Sequence, residues 1–227
     1  MSSIQRRKRR ANGGGRKDAP DVRLMKTMDS FVRSISAIDN RLTMKCSVCA
    51  RPTSPLGNLR PLMKALEISC HGIPWLLGTF ILLLSLHKPE HIEILMNLFI
   101  GLVCDLIIIA VLKVIVQRER PNINRQDMFA TISIDNYSFP SGHTSRAVFL
   151  AFLFSEKVNL EGPLLGLICL WAVFVTMSRV MLGRHHFSDV LFGVFVGVVE
   201  FKLLSRYWLP QDVCMAILEP FFAHFHL

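Results

Sequence analysis

An all-α integral membrane fold, a helical bundle of about five transmembrane spans behind an N-terminal interfacial amphipathic helix, is what this chain of 227 residues predicts. Three observations carry that expectation. Hydrophobic residues make up 51% of the sequence, high for a soluble domain and ordinary for a small helical membrane protein. Beyond Arg60 the apolar residues gather into consecutive runs, most of them close to the roughly 20 residues that a spanning helix needs. Almost all of the net charge of +9 lies before Arg60, which leaves the rest of the chain nearly neutral.

Residues 1–28 hold the basic block Arg6, Arg7, Lys8, Arg9, Arg10, Arg16 and Lys17 beside Gly13, Gly14 and Gly15, without apolar periodicity, so a flexible solvated tail is expected. Such a block suits nucleic acid, an acidic membrane surface or a localisation signal. No nucleic-acid partner is expected here. Residues 29–60 begin with Phe31, Ile35, Ile38 and Leu42 at helical spacing, opposite Arg33, Asp39, Asn40 and Arg41. An amphipathic helix over Asp29–Lys45 follows, too charged to span a bilayer but suited to lie in its interface. Pro52, Pro55, Gly57 and Pro61 then mark a loop.

Residues 61–210 form the expected transmembrane domain, and 211–227 a C-terminal tail. The spans are expected at about Leu66–Leu86, Ile94–Val116, Thr144–Lys157, Pro163–Leu182 and Ser188–Trp208, with a long polar stretch from Gln117 to Ser141. So many apolar runs leave too little polar surface for a soluble globule. Inside them, Asp105 is expected either to pair with a basic residue on a neighbouring helix or to face the bundle interior protonated. Glu67 and His71 are one turn apart and placed to bond each other, and Glu200 is expected to reach the interface. The six cysteines imply no disulfide framework. Cys46 and Cys49 have the spacing of a zinc or redox pair, but no second pair accompanies them.

Polar clusters fall at the ends of these runs. Lys113 closes the second and is followed by Arg120-Pro121. Pro140-Ser141-Gly142-His143 opens the third, while Ser178-Arg179 ends the fourth and His185 and Asp189 open the fifth. Lys113, Arg120 and Arg179 supply fixed positive charge, and the arginines can fork onto phosphate oxygens. Ser141 and Gly142, just before a helix, turn backbone N–H groups, a hydroxyl and the positive helix end toward the same anion. His185 and Asp189 share a helical face, so Asp189 can hold one imidazole nitrogen while the other attacks phosphorus. His143 is then free to protonate the departing oxygen. His186, also within a turn of Asp189, is a rival nucleophile. Taken singly, Lys113 and Arg120 read equally well as positive-inside anchors, and Ser141-Gly142-His143 as a turn and cap. Taken together, and with no carboxylate cluster to hold a metal, they point to metal-independent phosphoryl transfer.

At these residues the chain resembles the type 2 phosphatidic acid phosphatase superfamily, whose pattern is Lys, six residues, Arg-Pro; then Pro-Ser-Gly-His; then Ser-Arg, five residues, His, three residues, Asp. The resemblance implies that His185 is the nucleophile, Asp189 its orienting partner and His143 the general acid. It implies that Lys113, Arg120, Ser141, Gly142 and Arg179 bind the phosphoryl group, with no metal and no other cofactor. The family spacing alone selects His185 over His186.

The wider chain over roughly 60–210, including Arg60-Pro61-Leu62-Met63-Lys64, His71-Gly72-Ile73-Pro74-Trp75 and Met181-Leu182-Gly183-Arg184-His185, looks like the polyisoprenoid diphosphate phosphatases, the branch that includes presqualene diphosphate phosphatase. That implies isoprenoid mono- and diphosphates such as farnesyl, geranylgeranyl or presqualene diphosphate, hydrolysed through a phosphohistidine by a multi-pass protein of the endoplasmic reticulum or nuclear envelope. Superfamily members commonly have six spans, and the amphipathic Asp29–Lys45 helix stands in place of the first. The alternatives are a phosphatase of phosphatidic acid, lysophosphatidic acid or sphingosine phosphate, and a non-enzymatic nuclear-envelope scaffold. A soluble vanadate haloperoxidase with a similar pocket is excluded by the apolar runs.

Overall fold

A computed structural model describes residues 20–86, 88–125, 127, 136–158 and 160–225. The described residues form helices and no strand: α1 (Pro20–Cys46), α2 (Arg60–Ser69), α3 (Gly72–Ser85), α4 (Pro89–Val116), α5 (Gly142–Lys157), α6 (Gly162–Met181), α7 (Phe187–Arg206) and α8 (Gln211–Phe225). The basic block Arg6–Lys17 lies outside the described residues. The chain divides into a unit ending at Ile38 and a larger one beginning at Asp39.

The first unit carries the greater part of α1, which starts nine residues before the expected Asp29 and so takes in the end of the expected tail. Pro20 at the helix start suits it, since a fixed φ and a missing N–H cost nothing there. Phe31, Val32, Ile35 and Ile38 are exposed within this unit.

In the second unit the expected span Leu66–Leu86 is instead broken at Cys70 and His71 into α2 and α3, which meet at a bend of 42°. Pro74 accounts for the break, because it has no N–H to offer the carbonyl of Cys70 one turn earlier. That carbonyl accepts from Arg146 Nη1 at 3.1 Å instead. Among the described residues, only α4 and α6 are by themselves long and apolar enough to cross a membrane, with the bent pair as a third candidate. The expected third span is the 16-residue α5, about 24 Å long at 1.5 Å per residue, short of the roughly 30 Å hydrocarbon core. The fifth, α7, is 20 residues long but carries Asp189, Glu200, Lys202 and Arg206.

Helix α5 sits at the centre of this unit because its neighbours cover it. Phe149, Leu150 and Leu153 pack with Leu98 and Leu102 of α4 and Phe201 of α7. On α7, Gly193 and Gly197 allow the close approach: a Cβ would come 2.7 Å from the Ser141 carbonyl oxygen at the first and 2.4 Å from that of Ser145 at the second. Small residues four apart at a helix contact are how membrane helices gain packing energy that the lipid does not supply. Gly197→Val is therefore expected to lose at least about 1–3 kcal/mol to overpacking, measured as reduced resistance to denaturant in detergent. A variant as stable as wild type would contradict this packing.

The outward faces of α4 and α6 expose Ile107, Val111 and Ile115, and Leu167, Val173 and Met177. Asp105 bonds Arg146 at 2.6 Å and Ser145 at 2.7 Å, the first of the expected alternatives. Glu200 does not reach the interface; it is buried beside Asp105 and Arg146. The expected tail beyond residue 210 is α8, whose Cys214 and Leu218, one turn apart, pack on Leu83, Ile92 and Met96.

Candidate active site

The helix ends around α5 and α7 are assembled by backbone and side-chain caps. The first turn of a helix leaves N–H groups without intrahelical partners. At α7, His186 N donates to Asp189 Oδ2 (2.8 Å), Phe187 N to Thr43 Oγ1 (3.1 Å) and Ser188 N to Asp39 Oδ1 (3.0 Å). At α5, Ser141 N donates to the Asp189 carbonyl at 3.1 Å, and Ser141 Oγ lies 3.0 Å from Thr144 Oγ1. The loop Leu182–His186 turns at Gly183, whose φ of +69° favours glycine, and there a Cβ would come 2.5 Å from Ile123.

His185 is almost fully buried, and its Nδ1 lies 2.7 Å from the Ser138 carbonyl oxygen. A carbonyl can only accept, so Nδ1 carries the proton and Nε2 keeps its lone pair. The expected partner of that nitrogen, Asp189, is 3.9 Å away. That is an ion-pair rather than a hydrogen-bond distance, and the Asp189 oxygens accept from His186 N at 2.8 Å and from Arg118 Nη1 at 2.6 Å. Burial, and after it the charges of Arg120, Arg179 and Lys113, hold the His185 imidazole well below the usual histidine range, so it is neutral at physiological pH. Its neighbour His186 is turned to the backbone, with Nε2 3.2 Å from the Glu119 carbonyl.

Arg179 and Lys113 act electrostatically on His143 as well as on His185, so the site residues from α4, α5, α6 and the loop before α7 converge. Lys113 is buried in the last turn of α4. Gly142 starts α5 where a Cβ would come 3.1 Å from Ile109, one turn before Lys113. Arg120 donates to the Arg184 carbonyl at 2.9 Å. His143 Nε2 and Arg179 Nε are buried and have no hydrogen-bond partner among the described residues. Buried donors and acceptors in that condition are costly and call for a polar group to meet them. An oxyanion among Lys113, Arg120 and Arg179 would do so.

Several neighbours were not legible as site residues. Glu67 pairs with Arg179 at 3.1 Å and with Arg184 at 3.3 Å, where a bond to His71 was expected. Arg184 also pairs with Asp127 at 2.9 Å, and Arg60 bonds both oxygens of Asp127. His71 instead caps α3 and packs its ring edgewise on His143, with centroids 5.9 Å apart. Arg118, only two residues before Arg120, and the carbonyl of Ser138 are the other unexpected members.

Fold and site thus define a multi-pass membrane phosphatase. The chain belongs to the PAP2 superfamily, whose family model matches residues 94–211. A curated relative from Arabidopsis thaliana, "Probable lipid phosphate phosphatase beta", is 30% identical over 206 residues, covering 80% of this chain and 93% of the relative. Two solved structures share the fold. Aquifex aeolicus LpxE aligns with a TM-score of 0.55 at 19% identity, covering 74% of this chain and 94% of that one. A PAP2-type phosphatidylglycerolphosphate phosphatase from Bacillus subtilis aligns with a TM-score of 0.58 at 21% identity, covering 77% and 86%.

Proposed function

We propose that the enzyme hydrolyses isoprenoid diphosphates and monophosphates through a phosphohistidine at His185. The observation that carries the chemistry is the His185 ring, with Nδ1 anchored on Ser138 at 2.7 Å and the charges of Arg120, Arg179 and Lys113 around it. A neutral Nε2 attacks phosphorus as the bond from phosphorus to the leaving oxygen breaks. Lys113, Arg120, Arg179 and the amides of Ser141 and Gly142 hold the phosphoryl oxygens, whose charge spreads in the transition state. With the bound phosphate dianion offsetting the cations beside it, His143 takes up a proton from solvent and gives it to the leaving oxygen. Neutral His143 then takes a proton from water as that water attacks the phosphohistidine, which releases inorganic phosphate and restores both rings.

His143→Ala is expected to slow formation of the phosphohistidine from lipid monophosphates, read in the first turnover, by about 10²–10⁴-fold, because their alkoxide leaving group needs the proton. Diphosphates, whose leaving group is the lipid monophosphate, a weaker base than an alkoxide, should suffer much less in that step. Equal losses on the two would contradict the acid role of His143. Three cationic side chains already compensate the phosphoryl charge, so full turnover is expected in excess chelator; loss in EDTA restored by magnesium would contradict the mechanism.

The isoprenoid assignment rests on the resemblance over residues 60–210, with His71-Gly72-Ile73-Pro74-Trp75 at the α2–α3 break beside His143. We place the protein in the endoplasmic reticulum or nuclear envelope, with α1 lying in the interface on its exposed Phe31, Ile35 and Ile38. The names of the relatives speak for glycerolipid phosphates and other lipid phosphates as the second reading. Comparison of kcat/KM for farnesyl diphosphate and phosphatidic acid in the same mixed micelles decides: preference for the isoprenoid supports the assignment, and preference for phosphatidic acid overturns it.

A further inference from the structure

We propose that Asp39, outside the family's motif blocks, and Arg118, at one of the six unspecified positions within the first block, form a positioning pair that fixes both the charge beside His185 and the carbonyl that orients its ring. The proposal rests on the reading of His185 as the phosphoryl acceptor.

Arg118 sits where three parts of the site meet. Its Nη1 donates to Asp189 Oδ1 (2.6 Å) and Ser188 Oγ (2.7 Å), and its Nη2 donates to Asp39 Oδ2 (2.6 Å). Its own carbonyl accepts from Ser138 N at 2.8 Å. One residue therefore ties Asp189 by its side chain and Ser138 by its backbone, and these are the carboxylate and the carbonyl facing His185 Nδ1, at 3.9 and 2.7 Å. Charge-assisted bonds of this length are strong and directional, and the planar guanidinium permits little rotation.

Asp39 holds the other end of the fork. Its buried carboxylate accepts from Ser188 N (3.0 Å), Ser188 Oγ (2.6 Å) and Arg118. Burial works against this carboxylate, yet the bonds from Ser188 and Arg118 hold it below the usual range, so it stays ionised. With Thr43 on Phe187 N, Asp39 satisfies first-turn N–H groups of α7 from outside that helix. The last turns of α1 thereby become part of the scaffold that presents His185.

Removing Arg118 takes a positive charge from between two carboxylates. The groups then acting on His185 are Arg120, Arg179 and Lys113 on one side and an uncompensated Asp189 on the other. Loss of that cation raises the proton affinity of Asp189 and His185 taken as a pair, so the acid limb of kcat/KM moves to higher pH whichever of the two holds the proton. Relaxed positioning lowers kcat as well, since misplacement of a reacting group by about 1 Å can cost about a hundredfold.

The experiment uses the full chain in mixed micelles. Wild type, Arg118→Met, Arg118→Lys and Asp39→Asn are compared for kcat, KM, the pH profile of kcat/KM, and acid-labile phosphoenzyme trapped in the first turnover. In Arg118→Met we expect kcat down on the order of 10- to 100-fold, KM unchanged, and the acid limb raised. Arg118→Lys should restore the limb but only part of kcat, because it keeps the charge and loses the fork. Asp39→Asn should lower kcat less than Arg118→Met does. A raised KM at constant kcat would make Arg118 a substrate-binding residue and overturn the proposal. So would an unshifted pH profile whose rate loss follows lost folded protein. Absence of phosphohistidine in wild type sinks the reading of His185 itself, whereas normal trapping with an unaltered Arg118→Met sinks this proposal alone.

Discussion

Purified His185→Ala is expected to hydrolyse lipid phosphates at no more than about a thousandth of the wild-type rate, because removal of a covalent nucleophile leaves only binding and charge stabilisation. His186→Ala is the necessary control. His186 caps α7 through its backbone N–H to Asp189 and faces the Glu119 carbonyl, contacts that position the loop. Its loss should leave a measurable rate, reduced by looser placement of His185. Steady-state assays of both variants against wild type check this, and an inactive His186→Ala beside an active His185→Ala would reverse the assignment of the nucleophile.

Arg146→Leu is expected to have the largest effect on folding. Arg146 is buried between the Asp105 carboxylate at 2.6 Å and the Cys70 carbonyl at 3.1 Å, with Glu200 nearby. Removing one partner of a buried ion pair costs about 3–5 kcal/mol, because the other charge is left uncompensated. Here the loss also frees the carbonyl left exposed by Pro74 at the α2–α3 break. Arg146→Leu combined with Asp105→Leu should regain much of the stability, since no unpaired pair member then remains. Denaturant titration in detergent measures both. A single variant as stable as wild type, or a double variant worse than the sum of the singles, would contradict the role of this pair.

The helical bundle and the residues of the site were legible for different reasons. Long apolar runs such as Ile94–Val116 announce a span by composition alone, and α4 and α6 follow. The bend within the expected span Leu66–Leu86 was not legible, because Pro74 sits inside an otherwise continuous apolar run and the guanidinium that meets the freed carbonyl, that of Arg146, is far away in sequence. Asp189 was expected to hold His185 because helical spacing brings the two together. Spacing along a helix carries no information about the Ser138 carbonyl, a backbone atom, which lies closer to the same nitrogen, at 2.7 Å against 3.9 Å for Asp189. Arg118 lay in plain view two residues before Arg120, but a basic residue at a span end reads as an interfacial anchor until its carboxylate partners are located. The same holds for Glu67, whose partners Arg179 and Arg184 lie more than a hundred residues on.

The covalent step is open to direct measurement. Wild-type protein mixed with farnesyl diphosphate labelled in its terminal phosphate, quenched in base within the first turnover and digested, should yield a phosphopeptide spanning Met181-Leu182-Gly183-Arg184-His185. The label should survive base, be lost in acid, and map by fragmentation to His185. Label on His186, label on a carboxylate, or a first turnover that releases phosphate with no labelled protein at any quench time would contradict the account.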